Sequence, residues 1–378
     1  MKFILKLTVI AAVFTVILPG CTTAPEAKKR VKDASPLKVS VYVGNGAKGI
    51  GCVEWCRLVN ECPQMRMRLV DGSAVAAGAL EGEDVVVMPG GNSKDEFTSL
   101  TEEGVEKFKK FILNGGGFVG TCAGCSILLN EEDRRLKIVP YKRLGSTKLL
   151  NGNFKITKAG AEALGIAEEP RRIRYSGGPI IKKTENEVAN AKFEVFGTYD
   201  FEASTTGRAN TEMFGAPAIL GGTYGKGKVF TTVAHPEYFE ETLDIVEGAF
   251  KFVTGREVKF PPRMKKKDAV SVGFLTSYIC GIETAETALA IDNAEDMYLV
   301  PVDVMADWRR QLDHINVLVL PNDIIADPKR GKNVKKLVEK FMSRGGTVIG
   351  FGSAVKVLPE GAIPSGSREE IVKTIRAL

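Results

Sequence analysis

Residues 84–88, Asp-Val-Val-Val-Met, form a short unbroken apolar run that stops on Pro89-Gly90-Gly91. A strand with one wet face alternates apolar and polar residues, whereas a continuous β-branched run fits a strand buried on both faces of a parallel sheet. Such a sheet needs helices on both sides, and the neighbouring sequence supplies them. Residues 38–43 alternate as a strand, 51–62 read as a helix, and 65–70 read as a second strand. After a polar loop, Thr101-Glu102-Glu103 opens a helix predicted over 101–113, Gly115-Gly116 closes it, and Phe118-Val119-Gly120 begins the next strand. Right-handed β-α-β crossovers then give an α/β fold of flavodoxin-like or Rossmann-like three-layer type.

The strand at 118–120 runs into Gly120-Thr121-Cys122-Ala123-Gly124-Cys125. Gly-x-Cys-x-Gly has the form of a nucleophile elbow, whose sharp strand-to-helix turn excludes bulky neighbours and projects the thiol over the sheet. A helix N-terminus behind it favours the thiolate. Backbone N–H groups of Ala123 and of the Gly90-Gly91 loop are the candidate oxyanion donors. Locally, a small residue packed beneath a helix explains Cys122 equally well. The balance changes downstream, where residues 218–222 and 229–233 read as a hairpin around Tyr224-Gly225-Lys226-Gly227-Lys228 and deliver Ala234-His235-Pro236-Glu237. A cysteine nucleophile needs a base and a group to orient it, and Cys122, His235 and Glu237 supply the three roles. His314, the second of the chain's two histidines, precedes another strand without such a partner.

At 378 residues, 44% hydrophobic and 26% charged, the chain can bury a large core, with about two domains expected. The net charge of +6 is modest, and its clusters at 28–30 and 265–267 lack interleaved aromatics, so no nucleic-acid partner is expected. Two lysines precede an apolar run over 7–18, the layout of an export signal. Its ending, Leu18-Pro19-Gly20-Cys21, resembles the lipobox of bacterial lipoproteins. The resemblance implies a signal peptide over 1–20, lipidation of Cys21 and attachment to a membrane in the cell envelope. Residues 21–37 then read as a tether. Six further cysteines lie in a compartment that permits disulfides, and for Cys52, Cys56 and Cys62 small buried hydrophobes or one disulfide are the open readings. Zinc-type spacing is absent, so neither a metal nor a cofactor is expected.

The segments VVVMPGG, GTCAGC, YSGGP, YGKGKV and HPE, in that order, resemble the class I glutamine-amidotransferase-like superfamily. More narrowly they resemble its biotin-protein ligase N-terminal-domain family, which shares a glycine-rich loop after the first strand, here Gly44-Asn45-Gly46. The resemblance spans about 38–254. It implies Cys122 as nucleophile, His235 as base, Glu237 as orienting acid, Gly90 and Gly91 in the oxyanion loop, and Asn45, Tyr175, Gly177 and Gly178 lining the substrate site. Ser126 departs from the superfamily's Cys-x-Gly-x-Gln, so a contact to glutamine is missing.

After a basic linker at 255–267, the sequence repeats itself. Residues 39–43 match 270–274, 85–89 match 317–321, and 111–122 match 341–352. Gly352 takes the nucleophile's place and no His-Pro-Glu follows, so 268–378 read as a truncated, degenerate, non-catalytic copy. The expected function is hydrolysis or transfer of an amide or ester of a small molecule or peptide. A ligand-binding or sensing protein on the same fold, and a structural envelope protein that assembles through its second domain, stay open as alternatives.

Overall fold

A computed structural model describes residues 35–131, 134–147, 151–201, 204–205, 208–209, 213–263, 266–276, 281–303, 312–321 and 331–378. The predicted signal peptide, Cys21 and Cys280 lie outside the described residues. Pro36–Leu378 forms one compact unit.

The first half runs β1 (Leu37–Tyr42), α1 (Gly49–Glu61), β2 (Met65–Val70), α2 (Gly72–Ala76), β3 (Val85–Met88), α3 (Ser93–Leu113), β4 (Gly117–Thr121) and α4 (Ala123–Ser126). It continues through β5 (Tyr141–Ser146), β6 (Asn151–Ile156), α5 (Lys158–Leu164), β7 (Pro170–Arg174), β8 (Pro179–Lys183), β9 (Ala191–Tyr199) and the short pair β10 (Ser204–Thr205) and β11 (Arg208–Ala209). The hairpin β12 (Pro217–Tyr224) and β13 (Gly227–Thr232) leads to α6 (Leu243–Thr254). The main sheet has nine strands in the order β2-β1-β3-β4-β13-β12-β9-β6-β7. Its first five are mutually parallel and the rest are added antiparallel.

The three-layer α/β fold follows from alternation along β4. A side chain at Gly117 would meet Val253 of α6, whereas the next residue, Phe118, stacks edge-on against Phe108 of α3. Successive strand residues point to opposite faces, so α6 and α3 cover opposite sides of the sheet. All four residues of β3 are buried, as an unbroken apolar strand at the centre requires.

A second sheet carries β14 (Val270–Thr276), α7 (Ile282–Asn293), β15 (Met297–Asp303), β16 (Val317–Leu320), α8 (Gly331–Met342), β17 (Thr347–Phe351), β18 (Ile363–Ser365) and α9 (Arg368–Arg376). Its order is β15-β14-β16-β17-β18, all parallel. This reproduces β2-β1-β3-β4-β13 strand for strand. The first strand is displaced from the sequence match by two residues: Val39 pairs with Val85, whereas Val272 rather than Val270 pairs with Val317. A shift of two keeps every side chain on its face, so the apolar pattern alone does not resolve it.

Helix α1 packs between the two sheets. Trp55 meets Phe250 of α6, while Val53 joins the core of the second sheet. This explains why residues 50–59 are buried all round, including Cys52, Cys56 and even Glu54 and Arg57. With Cys62 and Cys125, those cysteines are packed as small hydrophobes, and no disulfide occurs among the described residues.

Three segments differ from the sequence reading. Leu37 belongs to β1, paired with Met65 and buried, so the tether does not extend through it. Helix α3 begins at Ser93 because Asn92 caps Lys94 N–H, and the expected start at Thr101 is a break with φ 62° inside the element. The described part of the 255–267 linker packs as a strap: Val258 and Phe260 are buried, and Lys259 and Phe260 donate backbone N–H bonds to Gln64 and Glu247.

Candidate active site

Cys122 stands between β4 and α4 with φ 54° and ψ −101°, a conformation non-glycine residues rarely adopt. The flanking glycines have separate reasons. A side chain at Gly120 would strike the Phe118 ring at 2.5 Å, and one at Gly124 would strike the Met88 carbonyl oxygen at 2.1 Å. The elbow is therefore pressed against the end of β3. The expected helix behind the thiol is a single turn of four residues, so its dipole is small.

His235 and Glu237 arrive from β13. The His235 N–H bonds to Arg174 O at the end of β7, and Pro236–Tyr238 forms one 3-10 turn that brings the carboxylate back under the imidazole. Nδ1 donates to Glu237 Oε1 at 2.8 Å, with His235 6% and Glu237 0% exposed. A carboxylate can only accept, so Nδ1 carries the proton and Nε2 is the ring nitrogen not engaged by Glu237. The same Oε1 accepts from Thr121 Oγ1, which in turn accepts from Trp55 Nε1, each at 3.2 Å. Among the described residues, Glu237 Oε2 is buried without a hydrogen-bond partner. The first turn of α1 also faces this carboxylate, since a side chain at Gly51 would lie 3.0 Å from Oε1.

Burial opposes the charged form of His235, but Glu237 and Cys122 outweigh it and raise the imidazole to about 10. Burial, only partly offset by the hydrogen bond to Thr231, pushes Cys125 up to about 12, which leaves it inert at neutral pH.

Gly90 fills the corner between base and nucleophile: a Cβ there would fall 2.5 Å from His235 Cε1 and 3.3 Å from Cys122 Cβ. Gly91 lies against the Gly46 carbonyl oxygen, where a Cβ would approach to 1.9 Å. Ala123 opens α4 directly after the thiol. Of the expected oxyanion residues, Gly90 lies against Cys122 in space and Ala123 follows it in the chain, while Gly91 packs on the Gly46 loop.

The substrate-lining set is dispersed. Asn45 is exposed, and its carbonyl accepts from Tyr42 Oη. Tyr175 is fully buried among Phe154, Tyr199 and Phe201, and its hydroxyl donates to Gly178 O at 2.7 Å. It holds the YSGGP turn from behind and does not face solvent. Gly178 packs on the Val233 carbonyl, whereas Gly177 faces open space. The group of this turn that reaches Cys122 is the Ser176 carbonyl, 3.9 Å from Sγ.

Sequence reasoning also missed Glu96, in the first turn of α3. It is fully buried, and neither carboxylate oxygen has a hydrogen-bond partner among the described residues. Burial first, then Cys122, hold its carboxyl well above the usual range. Its only signal in the sequence was an acidic pair placed where a helix start favours acids. Among the described residues, no group of three or more His, Cys, Asp or Glu is arranged to hold a metal ion.

Residues 17–127 match the family model described as biotin-protein ligase, N terminal. The matched stretch includes Gly90, Gly91 and Cys122 and stops before His235. The chain is also 27% identical over 235 residues to a biotin--protein ligase of Schizosaccharomyces pombe, covering 56% of this chain and 35% of the ligase. Among solved structures, a ThuA-like protein from Bacteroides uniformis is 14% identical, with a TM-score of 0.44, over 59% of this chain and 94% of that one. PurLQS from Thermotoga maritima is 15% identical, with a TM-score of 0.41, over 58% and 99%. The chain therefore carries a biotin-protein ligase N-terminal domain match and is a distant homologue of a biotin-protein ligase, of whose length it spans about a third.

Proposed function

We propose that this protein is a cysteine-dependent, amidotransferase-like enzyme that hydrolyses or transfers an amide or ester of a small molecule or peptide, held at the periplasmic or extracytoplasmic face of a bacterial membrane by lipid on Cys21. The observation that carries the chemistry is the His235–Glu237 pair, 2.8 Å apart and buried, set against a cysteine whose backbone is strained at φ 54°. In this reading the Cys122 thiol gives its proton to His235 Nε2 as its sulfur attacks the carbonyl carbon, and the carbonyl π electrons move to oxygen. The Ala123 N–H and the Gly90-Gly91 loop stabilise that oxyanion. Collapse of the intermediate breaks the bond to nitrogen or oxygen, and His235 Nε2 gives its proton to the leaving group. Water or an acceptor nucleophile, deprotonated by His235, then releases the acyl group and restores the thiol. Glu237 keeps the ring in the required tautomer throughout.

The test is alkylation of Cys122 by iodoacetamide across pH. His235→Ala should slow the reaction at pH 7 by at least about 10-fold. An unchanged profile would sink the enzyme reading in favour of a ligand-binding protein. The anchor is tested by fractionation. Wild-type protein should partition with membranes and Cys21→Ser should not, whereas a soluble wild type with an N-terminus beyond residue 21 would refute lipidation.

A further inference from the structure

Arg263 sits in the strap between α6 and β14, far from Glu237 in sequence but against it in space. Its Nη2 donates to the Glu237 carbonyl oxygen at 3.2 Å and Nη1 to the Tyr238 carbonyl oxygen at 3.4 Å. Nη2 also pairs with the Glu54 carboxylate, while the Arg263 backbone N–H donates to Glu240 Oε1 at 2.6 Å. Glu54 is itself held by Arg57 at 3.0 Å, and both are buried in α1. One guanidinium therefore ties the turn that carries Glu237 to the helix whose first turn faces the Glu237 carboxylate. Planar guanidinium donors fix several acceptors in one geometry, which the single ammonium of lysine does not. The far end of the strap is pinned too, because Lys266 Nζ donates to the Asp292 and Ala294 carbonyls at the end of α7, at 2.5 and 2.7 Å.

We infer that Arg263 is a positioning residue for the His235–Glu237 pair, and that through it the strap leading into the second sheet sets the geometry of the first sheet's site. This rests on the cysteine-enzyme reading of that site. Arg263 touches neither Cys122 nor the imidazole in the contacts above; it acts on the carbonyls of the 3-10 turn. A turn released from the guanidinium lets the carboxylate drift from Nδ1, and the imidazole then loses the charge that contributes most to its raised pKa.

The experiment is a ring-nitrogen NMR titration of the full chain, which the presence of only two histidines, His235 and His314, makes simple to assign. In wild type His235 should titrate near 10. In Arg263→Gln it should fall by about 1 or more towards the ordinary value near 6.5, with Arg263→Lys in between. Loss of a merely electrostatic neighbour would move it the other way, since removing a cation makes the imidazolium easier to form. A His235 titration unchanged or raised in folded Arg263→Gln would overturn the inference. If that variant does not fold, Arg263→Lys decides, and a wild-type titration there overturns it equally. Failure of the enzyme reading is distinct, because it appears as wild-type Cys122 alkylation indifferent to His235→Ala, whatever Arg263 does.

Discussion

The two sheets share a strand order, and each ends its fourth strand in a left-handed turn, yet one turn holds a thiol and the other holds nothing reactive. Cys122 has φ 54° and Gly352 has φ 59°. The following strand is equivalent as well: Thr232 pairs with Thr121 beside β4, and Ser365 pairs with Phe351 beside β17. Counting three residues on from each, Arg368 stands where His235 does, and Glu370 stands where Glu237 does. Glu370 is spent on local structure, accepting from the Gly366 N–H at 2.5 Å. Arg368 turns outward to Glu286 and Glu369. The second unit passes from elbow to returning strand without the antiparallel extension β9-β6-β7 that the first inserts there. The backbone of the elbow is thus a property of the fold, and the chemistry is an addition to it. Glycine occupies such a turn without strain, whereas a cysteine there costs on the order of 1–3 kcal/mol. The strain is thus kept in one copy and relieved in the other.

This comparison can be broken most directly by moving the thiol. Gly352→Cys places a sulfur on an equivalent turn with no imidazole behind it, and it should alkylate at least about 10-fold more slowly than Cys122 at pH 7. Equal rates would show that the turn, and not His235 with Glu237, activates the first copy. A smaller effect concerns charge. Glu237→Gln should lower the His235 pKa from about 10, because Glu237 is the leading charge that raises it; Cys122→Ser should lower it less. NMR titration checks both, and an unmoved imidazole would remove the pair from the argument. The sign carries over to stability. A folded-state pKa raised above the unfolded value stabilises most below about 6.5, and that contribution is lost as pH rises through 10. The gap in stability between wild type and His235→Ala should therefore narrow between those limits, as measured by urea unfolding. The smallest expected effect is on strain: Cys122→Gly should stabilise the fold by about 1 kcal/mol, and Gly352→Ala should destabilise it by about as much. Matching changes of the same sign would mean that the two turns are not equivalent.

The elbow and the His-Pro-Glu turn were legible because each is local. Gly120-x-Cys122-x-Gly124 writes a steric need into five positions, and His235 and Glu237 lie two residues apart. Glu54, Arg57 and Arg263 were not legible, because charged residues in a helix and a strap read as a wet surface until a second sheet covers them. Tyr175 read as a wall of the site since its motif is a turn, yet the antiparallel strands around it make it core. Glu96 fell in what read as a polar loop before Thr101 and emerged as a buried carboxyl.

Taken alone, the sequence determined the parallel α/β layers and the repeat, and it singled out Cys122, His235 and Glu237 as candidates, because apolar period, glycine placement and short motifs act over a few residues. Tertiary structure decided which strands stand beside β4, that the helix behind Cys122 is a single turn, and that the strap grips the Glu237 turn. Those are contacts between residues tens to hundreds of positions apart, and their free energy depends on burial and on the neighbouring charge, neither of which exists until the chain has packed.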